Sequence, residues 1–305
     1  MGGIMSSGLA KMYRLSLLLL SLVFSPLLLA SSRFSLIGPE SHGDERMRYY
    51  RDVMTLALEK TRPEYGDYEL VTSLRMNKAR MRLEVQKRGK EALFIVDSWP
   101  LQSQHGQAAF IPFPIDFGIL GYRICFVSEQ KAETLGRVAT LAQLQDFTQV
   151  TGSGWQDADI LRRGGFKVRE VDNYESLFRM VARGRSDLFC RGANEILPEW
   201  QAHQLLQPTL RVDSHVAIFY PLIHVLYSHA SYKKERARLQ RGILLAWQDG
   251  SLQRLWRDHF RDSLLFANLG QRRIFRLANP LLPEQGFDYR PYLYDPARDD
   301  FGIAP

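Results

Sequence analysis

At 305 residues with 45% hydrophobic content, the chain is long enough to bury one large core or two smaller ones. Its 24% charged fraction is that of a globular protein and excludes a disordered chain. The formal net charge is +7, and basic residues alternate with acids, as in KKERARLQR at 233–241. Such mixed stretches are typical of solvated helix faces, so no nucleic-acid partner is predicted.

An apolar run near the start is the strongest compositional signal. Lys11 and Arg14 precede LSLLLLSLVFSPLLLA, and no acid occurs in residues 1–30. This sixteen-residue run is shorter than the roughly 20 apolar residues of a membrane-spanning helix. Ala30 and Ser32 then form a small-x-small cleavage pattern. We expect residues 1–32 to be a signal peptide for export to the periplasm, with an uncleaved anchor as the alternative.

Strand and helix patterns alternate through the next part of the chain. Apolar residues at helical spacing predict a first helix that Pro63 ends. A later segment fits both a helical face and an alternating strand, and the helix is favoured because Gly89 and a strand follow it. The predicted elements are strands at 34–38, 68–73 and 92–96 and helices at 44–61 and 76–88. This β-α-β-α-β order predicts a parallel sheet with right-handed crossovers.

A second β-α-β-α-β unit follows between residues 149 and 191. Glycine turns end each predicted helix, and Asp172 with Glu175 predicts the N-terminal cap of the second one. The predicted strands are 149–154, 166–171 and 186–191, and the helices begin at Trp155 and Tyr174. Two parallel-sheet units are therefore expected.

Two long apolar segments separate and follow these units. Residues 109–128 and 215–230 are broken by prolines and too irregular for one helix, so they are predicted to be the crossings between two lobes. Residues 231–262 are predicted to be helical around a turn at Gly250. Residues 280–305 are predicted to form an extended tail packed on the surface or partly disordered.

The two cysteines, Cys125 and Cys190, stand in apolar strand-like runs. Export to an oxidising compartment allows them to pair, but buried free thiols fit the same context, and the sequence leaves both open. Their separation is not a metal-ligand spacing, and the seven histidines include no H-E-x-x-H pattern. No metal site and no cofactor are predicted.

Two motifs resemble a known family. ATLAQLQDFTQVTGSGW at 139–155 and YESLFRMVARGRSDLF at 174–189 are similar to segments of the type-II periplasmic solute-binding proteins, which are related to the amino-acid-binding components of ABC transporters. The patterns W-x-D-x-x-I-L-x-x-x-G-F-x-V and R-x-D-x-F-x-R-G also resemble a subgroup of exported bacterial relatives. The resemblance covers about residues 34–265.

This resemblance implies an α/β, two-lobed periplasmic-binding-protein-like (type II) fold with two crossover strands. The lobe limits that follow are 33–117 plus 217–279 for lobe 1 and 118–216 for lobe 2, with 280–305 as the tail. In amino-acid binders of this family, an acid shortly after the G-r-x-D-a strand holds the ligand's amino group. Here Arg191 stands near that point and the first acid is Glu195. We therefore expect a solute that carries a carboxylate or a phosphate.

The turn from Thr151 to Trp155 is the sharpest local feature. It follows a strand and opens a helix, so its backbone N–H groups are expected to hold an anion. A plain helix start, with Ser153 and Gln156 as a capping box, explains it equally well. Arg123 and Arg191 are expected to clamp the anion, with salt bridging as the alternative.

Aromatic and loop residues complete the expected site. Trp99, Trp155 and Tyr220 are expected to form apolar walls for the ligand, although core packing is an alternative for each. Glu40 ends the first strand on the expected pocket side, or caps the following helix. The predicted ligand-binding residues are Glu40, Trp99, Arg123, Ser153, Gly154, Trp155, Arg191 and Tyr220.

Together these features predict an exported solute-binding protein that holds a small anionic or zwitterionic solute between two lobes. Its partner is expected to be a membrane permease of an ABC importer or a sensor. The alternative is a periplasmic sensory or interaction module without a transport role. An enzyme is not predicted, because there is no G-x-S-x-G motif, and Asp157 and Asp159 do not share a helix face.

Overall fold

The computed structural model of the protein describes residues 32–38, 46–101, 106–283, 285–298 and 301–302. The described strands are β1 (Ser32–Leu36), β2 (Tyr68–Thr72), β3 (Ala92–Ser98), β4 (Ala108–Phe110), β5 (Tyr122–Ser128), β6 (Gln149–Gly152), β7 (Val168–Val171), β8 (Leu188–Gly192), β9 (Leu210–Val212), β10 (Val216–Phe219), β11 (His224–His229) and β12 (Arg273–Arg276). The described α-helices are α1 (Arg46–Tyr65), α2 (Lys78–Glu84), α3 (Glu129–Gly136), α4 (Leu141–Gln145), α5 (Gln156–Arg163), α6 (Tyr174–Ala182), α7 (Ile196–His203), α8 (Lys233–Gln248) and α9 (Ser251–Ala267).

The strands form two sheets, one in each lobe. Sheet A has the order β2-β1-β3-β11-β4, with β1 parallel to β2 and β3, and β11 antiparallel to β3 and β4. Sheet B has the order β12-β10-β5-β8-β6-β7, and β9 pairs with β5. In it β6 runs parallel to β7 and β8, while β5 runs antiparallel to β8. The predicted α/β fold with two sheets is therefore confirmed.

Helix α1 continues past the residue expected to end it. Pro63 lies inside its last turn, and the helix ends at Tyr65. A proline here lacks the N–H that would donate to the Glu59 carbonyl, so this turn loses one helical hydrogen bond, and Gly66 with a φ of 75° supplies the left-handed stop. The cap of α6 also differs from the prediction, because Asn173, not Asp172, accepts from the backbone N–H of Ser176.

Lobe 1 is held together by the contact of α1 with α8. A Cβ on Gly242 would lie 2.0 Å from the carbonyl oxygen of Ala57, so only glycine allows the two helices to come this close. Helix α9 packs on α1 and α8 and also on α7 of lobe 2. The hydroxyl of Ser263 on α9 donates to the carbonyl of Ala193 at 2.8 Å. A helix thus connects the two lobes in addition to the predicted crossings.

Two strands lie in a different lobe from the one predicted. The resemblance implies that residues 217–279 belong to lobe 1, but β10 pairs with β5 and β12 pairs with β10, so both strands belong to sheet B. The reason is that the chain, after α9, returns to lobe 2 and adds a parallel edge strand there. Directly after β12, the backbone N–H of Leu277 donates to the carbonyl of Phe219, the last residue of β10, at 2.8 Å.

The described part of the C-terminal tail packs back on lobe 1. Phe287 meets Trp99 with ring centroids 5.0 Å apart, and Tyr292 meets Phe113 at 4.6 Å. The backbone N–H of Tyr294 donates to the carbonyl of Phe117 at 2.9 Å. The tail is therefore an aromatic strap over the first crossing segment.

A disulfide joins Cys125 and Cys190, which stand opposite each other on β5 and β8. The bond links the two central antiparallel strands of sheet B. The pairing that the sequence left open is thus made in the structure. Within the described part of the chain, no helix combines the length and the apolar character that a membrane crossing needs.

Candidate functional site

The cleft between the lobes holds three adjoining cavities. The first has a volume of about 50 Å³ and is lined by Lys78, Tyr50 and His224 of lobe 1 and by Glu195 of lobe 2. The second, of about 230 Å³, shares Lys78 and adds Ser153. A third cavity, of about 740 Å³, shares Tyr50 and Glu195 with the first. These shared residues make the cavities compartments of one cleft.

The turn from Thr151 to Trp155 lies at this cleft, but its N–H groups are already used. The N–H of Ser153 donates to the carbonyl of Val171 at 3.1 Å, and that of Gly154 donates to the Glu170 carboxylate at 3.0 Å. The N–H of Trp155 donates back to the carbonyl of Gly152 at 3.2 Å. The expected anion-binding donors are therefore occupied within the lobe.

The start of α5 also differs from the capping box that the sequence allows. Trp155 occupies the cap position without a side-chain cap. The Gln156 amide instead donates to the carbonyl of Pro100 at 2.8 Å, across the cleft. A second link joins the lobes where Arg82 Nη1 donates to the carbonyl of Gly154 at 3.1 Å. Both bonds hold this turn against lobe 1.

The indole of Trp155 is a wall of the second cavity, with Ser153 beside it. It lies across Gly152, where a Cβ would come within 2.4 Å of the ring. Glycine is thus required at the end of β6 for the indole to lie flat. Ser153 and Trp155 are the two predicted residues that line the cleft among its described walls.

Arg191 lies beneath Trp155 and is neutralised by acids. Its guanidinium donates to both Glu199 oxygens at 2.8 and 2.9 Å and lies 2.7 Å from Glu195 Oε1. It stacks 4.7 Å from the Trp155 ring centre. Arg191 is fully engaged in a buried ion pair with the first turns of α7, so its geometry argues against an anion clamp.

Arg123 forms a second buried ion pair beside it. Its Nη2 lies 2.5 Å from Asp157 Oδ1, and its guanidinium lies 5.4 Å from the Tyr220 ring centre. The Tyr220 hydroxyl donates to the same Asp157 oxygen at 2.5 Å. Tyr220 therefore serves this network and is not a wall of the three cavities.

The network places more acid than base beneath the cleft. Arg123 and Arg191 face Asp157, Glu195 and Glu199. Burial would raise the pKa of Asp157, but Arg123 and the Tyr220 hydroxyl outweigh it and lower that pKa below its usual range. Burial raises the pKa of Glu199 despite Arg191, because Glu195 adds a second negative charge. The lobe 2 floor of the cleft, which includes Glu195, thus carries one carboxylate more than guanidinium groups.

The lobe 1 wall carries the opposite charge. Asp97, at the end of β3, holds two cations, with Lys78 Nζ at 2.7 Å and Arg82 Nε at 2.6 Å. Burial would raise the pKa of Asp97, but these cations outweigh it and lower the pKa well below its usual range. One positive charge is therefore in excess, and Lys78, whose side chain is 19% exposed, lines two cavities.

A buried polar group lies where the first crossing enters lobe 2. Asp116 accepts from the Tyr50 hydroxyl at 3.3 Å and lies 3.4 Å from His224 Nδ1. Burial raises the pKa of Asp116 to about 7. Burial and the nearby Lys78 lower the pKa of His224 to about 3. The histidine is therefore neutral at neutral pH.

The remaining predicted residues lie away from the cleft or outside the description. Trp99 is buried between Phe110 and Phe287 of the tail and lines none of the three cavities. Glu40 falls outside the described residues. Lys78 and His224 were missed because each stands in an ordinary strand or helix pattern. The only sequence signal for Glu195 is its position as the first acid after β8.

Solved structures with the same architecture include two binding proteins and the VFT2 domain of BvgS. An ancestral arginine-binding protein bound to arginine shares 14% identity, covers 75% of this chain and 98% of its own, and gives a TM-score of 0.53. A periplasmic His/Glu/Gln/Arg/opine family-binding protein from Silicibacter pomeroyi, in complex with lysine, shares 11% identity, covers 75% of this chain and 97% of its own, and gives a TM-score of 0.51. The BvgS VFT2 domain of Bordetella pertussis shares 14% identity, covers 75% of this chain and 93% of its own, and gives a TM-score of 0.52.

No family model matches the chain, and no curated protein matches it in sequence. At these identities the likeness of the solved structures shows the fold. It agrees with the two sheets and the cleft described above. The chain therefore has the two-lobed fold of the type-II periplasmic solute-binding proteins.

Proposed function

We propose that the protein reversibly binds a small zwitterionic solute in its interlobe cleft. The observation that carries this proposal is the first cavity, where Lys78 of lobe 1 and Glu195 of lobe 2 line the same space. A solute carboxylate would meet the surplus cation at Lys78, and its ammonium group would meet Glu195. Opposite charges on opposite lobes favour a solute that bridges them.

The solute class is narrower than the anionic or zwitterionic one that the sequence indicates. A purely anionic solute is disfavoured because Arg191 and Arg123 are already paired with carboxylates. The N–H groups of Ser153 and Gly154 are likewise taken. Without these donors, a phosphate would face a floor on which three carboxylates outnumber two guanidinium groups.

Binding requires the lobes to separate. The first cavity, of about 50 Å³, is smaller than the roughly 300–1,000 Å³ of typical ligand pockets. Opening would break the Gln156–Pro100 and Arg82–Gly154 hydrogen bonds and turn about the crossings near Leu120. Hinge motion of this kind is common in two-lobed receptors.

Export to the periplasm is part of the proposal. The predicted signal peptide, 1–32, lies almost wholly outside the described residues. The Cys125–Cys190 disulfide supports an oxidising compartment, because such bonds are rare in the cytosol. In that compartment the bound solute would be delivered to an ABC importer or a sensor.

A thermal-shift screen tests this function. Each amino acid is tested beside an amine and a carboxylic acid that carry only one of its charged groups. The zwitterion should raise the melting temperature, since about 100-fold saturation adds about 2.7 kcal/mol. The single-charge analogues should not. The proposal fails if no zwitterion shifts the melting temperature of the folded protein, or if an acid alone does so equally.

A sensory module without a transport role is the second candidate. Its support is the additional connection between the lobes through α9, where Ser263 bonds Ala193 at 2.8 Å. A cleft tied in this way changes shape less on binding. Small-angle scattering with and without the zwitterion separates the two candidates, because a transport receptor should contract and a tied module should keep its dimensions.

A further inference from the structure

The wall of the first cavity is mostly apolar. Among its described lining residues, Lys78 and Glu195 are the acidic and basic side chains, and a glycine, a tyrosine and a histidine accompany them. The rest of the wall is aliphatic or thioether, and all of it except one leucine belongs to lobe 1. These apolar residues are Ile37, Met47, Met76, Met81, Val96 and Leu120.

The two polar rings of this wall are bonded to each other. The Tyr50 hydroxyl lies 3.3 Å from His224 Nδ1 and donates to Asp116 at 3.3 Å. Burial and the nearby Lys78 lower the pKa of His224 to about 3, so its ring carries no charge at neutral pH. The proposed function assigns Lys78 and Glu195 to the carboxylate and the ammonium group of the solute. No charged side chain of the described wall is then left for a further polar group.

Thioether side chains lie next to the residues that would hold the solute's charges. Met81 follows Lys78 by three residues on α2, and Met47 precedes Tyr50 by three on α1, so each pair shares one helix face. Met76 stands two residues before the start of α2. In an α-amino acid the carboxylate, the ammonium group and the side chain are bonded to one carbon. The side chain must therefore leave that carbon close to Lys78, where these methionines line the space.

Such a wall distinguishes side chains by their polarity more than by their shape. An amide or ammonium group buried against it would lose its hydration without gaining a partner, whereas an apolar group would be stabilised by leaving water. Methionine side chains are unbranched and flexible, so they repack around side chains of different shape. Met47 and Met76 are only partly buried, which leaves them room to do so.

We infer that the solute is an α-amino acid with an apolar side chain, and that Met47, Met76 and Met81 form the wall against which this side chain packs. The inference rests on the proposed function, because Lys78 and Glu195 must already hold the charged groups of the same solute. Its class is the aliphatic and thioether amino acids, such as leucine and methionine. Because methionine walls adapt, these two should bind with affinities within about threefold of each other.

Calorimetric titration with methionine and glutamine tests the inference. Their side chains are similar in length, but one ends in a thioether and the other in an amide. Methionine should bind the wild-type protein at least tenfold more tightly, which corresponds to about 1.4 kcal/mol. The double variant Met47→Gln/Met76→Gln should reduce this ratio below threefold. Met180→Gln, the same change at a partly buried position on α6, should preserve it.

Leucine and asparagine repeat the comparison on the wild-type protein alone, so the result does not depend on the folding of a variant. A polar member that binds as tightly as its apolar counterpart refutes the inference, and the zwitterion site can still stand. An unchanged ratio in the folded double variant overturns the assignment of the methionine wall. Failure of every amino acid to bind removes the proposed function together with the inference.

Discussion

Replacing Arg191 by methionine tests whether this residue is part of the fold or a free anion clamp. Methionine keeps much of the side-chain volume but removes the bonds of 2.8 and 2.9 Å to Glu199 and the 2.7 Å contact with Glu195. Two buried carboxylates then lose their shared cation. Breaking a buried pair in this way costs about 3–5 kcal/mol.

The loss of unfolding free energy in Arg191→Met should depend on pH in a defined direction. Without Arg191, the pKa of Glu199 in the folded variant should rise further, because burial and the repulsion from Glu195 then act unopposed. Protonation relieves that repulsion, so the stability deficit of the variant should shrink as pH falls toward about 5.

Guanidinium unfolding followed by tryptophan fluorescence measures this deficit. Arg179→Met, on the exposed side of α6, is the matched control and should change the unfolding free energy by less than about 0.5 kcal/mol. A deficit below about 1 kcal/mol for Arg191→Met at neutral pH would refute the structural role. So would a deficit that grows on acidification.

Three further predictions concern other parts of the fold. The raised pKa of Asp116 makes stability fall as pH rises from about 4 to 7, and the lowered pKa of His224 makes it rise from about 3 to 6.5. In Asp116→Asn the unfolding free energy should therefore rise with pH, by up to about 1.4 kcal/mol per pH unit. In His224→Gln it should fall with pH. Urea unfolding measures both, and the same pH dependence in the two variants would contradict this. Reducing the Cys125–Cys190 bond, which closes a 65-residue separation, should lower the unfolding free energy by about 4 kcal/mol, and an unchanged urea midpoint with reductant would count against it. Deleting residues 285–305 should expose the aromatic side chains under the tail and cost at least about 3 kcal/mol, whereas an unchanged melting temperature would show that the strap contributes nothing.

Local patterns predicted the strands and helices because their causes are local. Apolar spacing and glycine turns determine α5, α6 and the strands beside them, and the structure has these elements in the predicted order. Which lobe contains β12 depends instead on the pairing of this strand with β10, in which Arg273 lies opposite Val216. Local residue patterns do not predict a pairing between segments so far apart in sequence.

The candidate site shows the same division. The sequence indicated that the Ser153–Trp155 turn would lie at the cleft, and both residues line it. It could not indicate that Arg191 was neutralised, because Glu199 reaches it from the first turn of the following helix. Whether a buried charge is free or paired depends on which acids the fold brings near it, and composition does not determine that.

Calorimetric titration of Lys78→Met with a zwitterion that stabilises the wild-type protein tests whether Lys78 holds the carboxylate of the solute. Asp97 keeps Arg82 as a partner, at 2.6 Å, so the variant should remain folded. Lys87→Met, an exposed change beyond α2, is the control. Lys78→Met should bind the zwitterion at least tenfold more weakly, and the control should bind it unchanged. Equal affinity for Lys78→Met and the wild-type protein would contradict it.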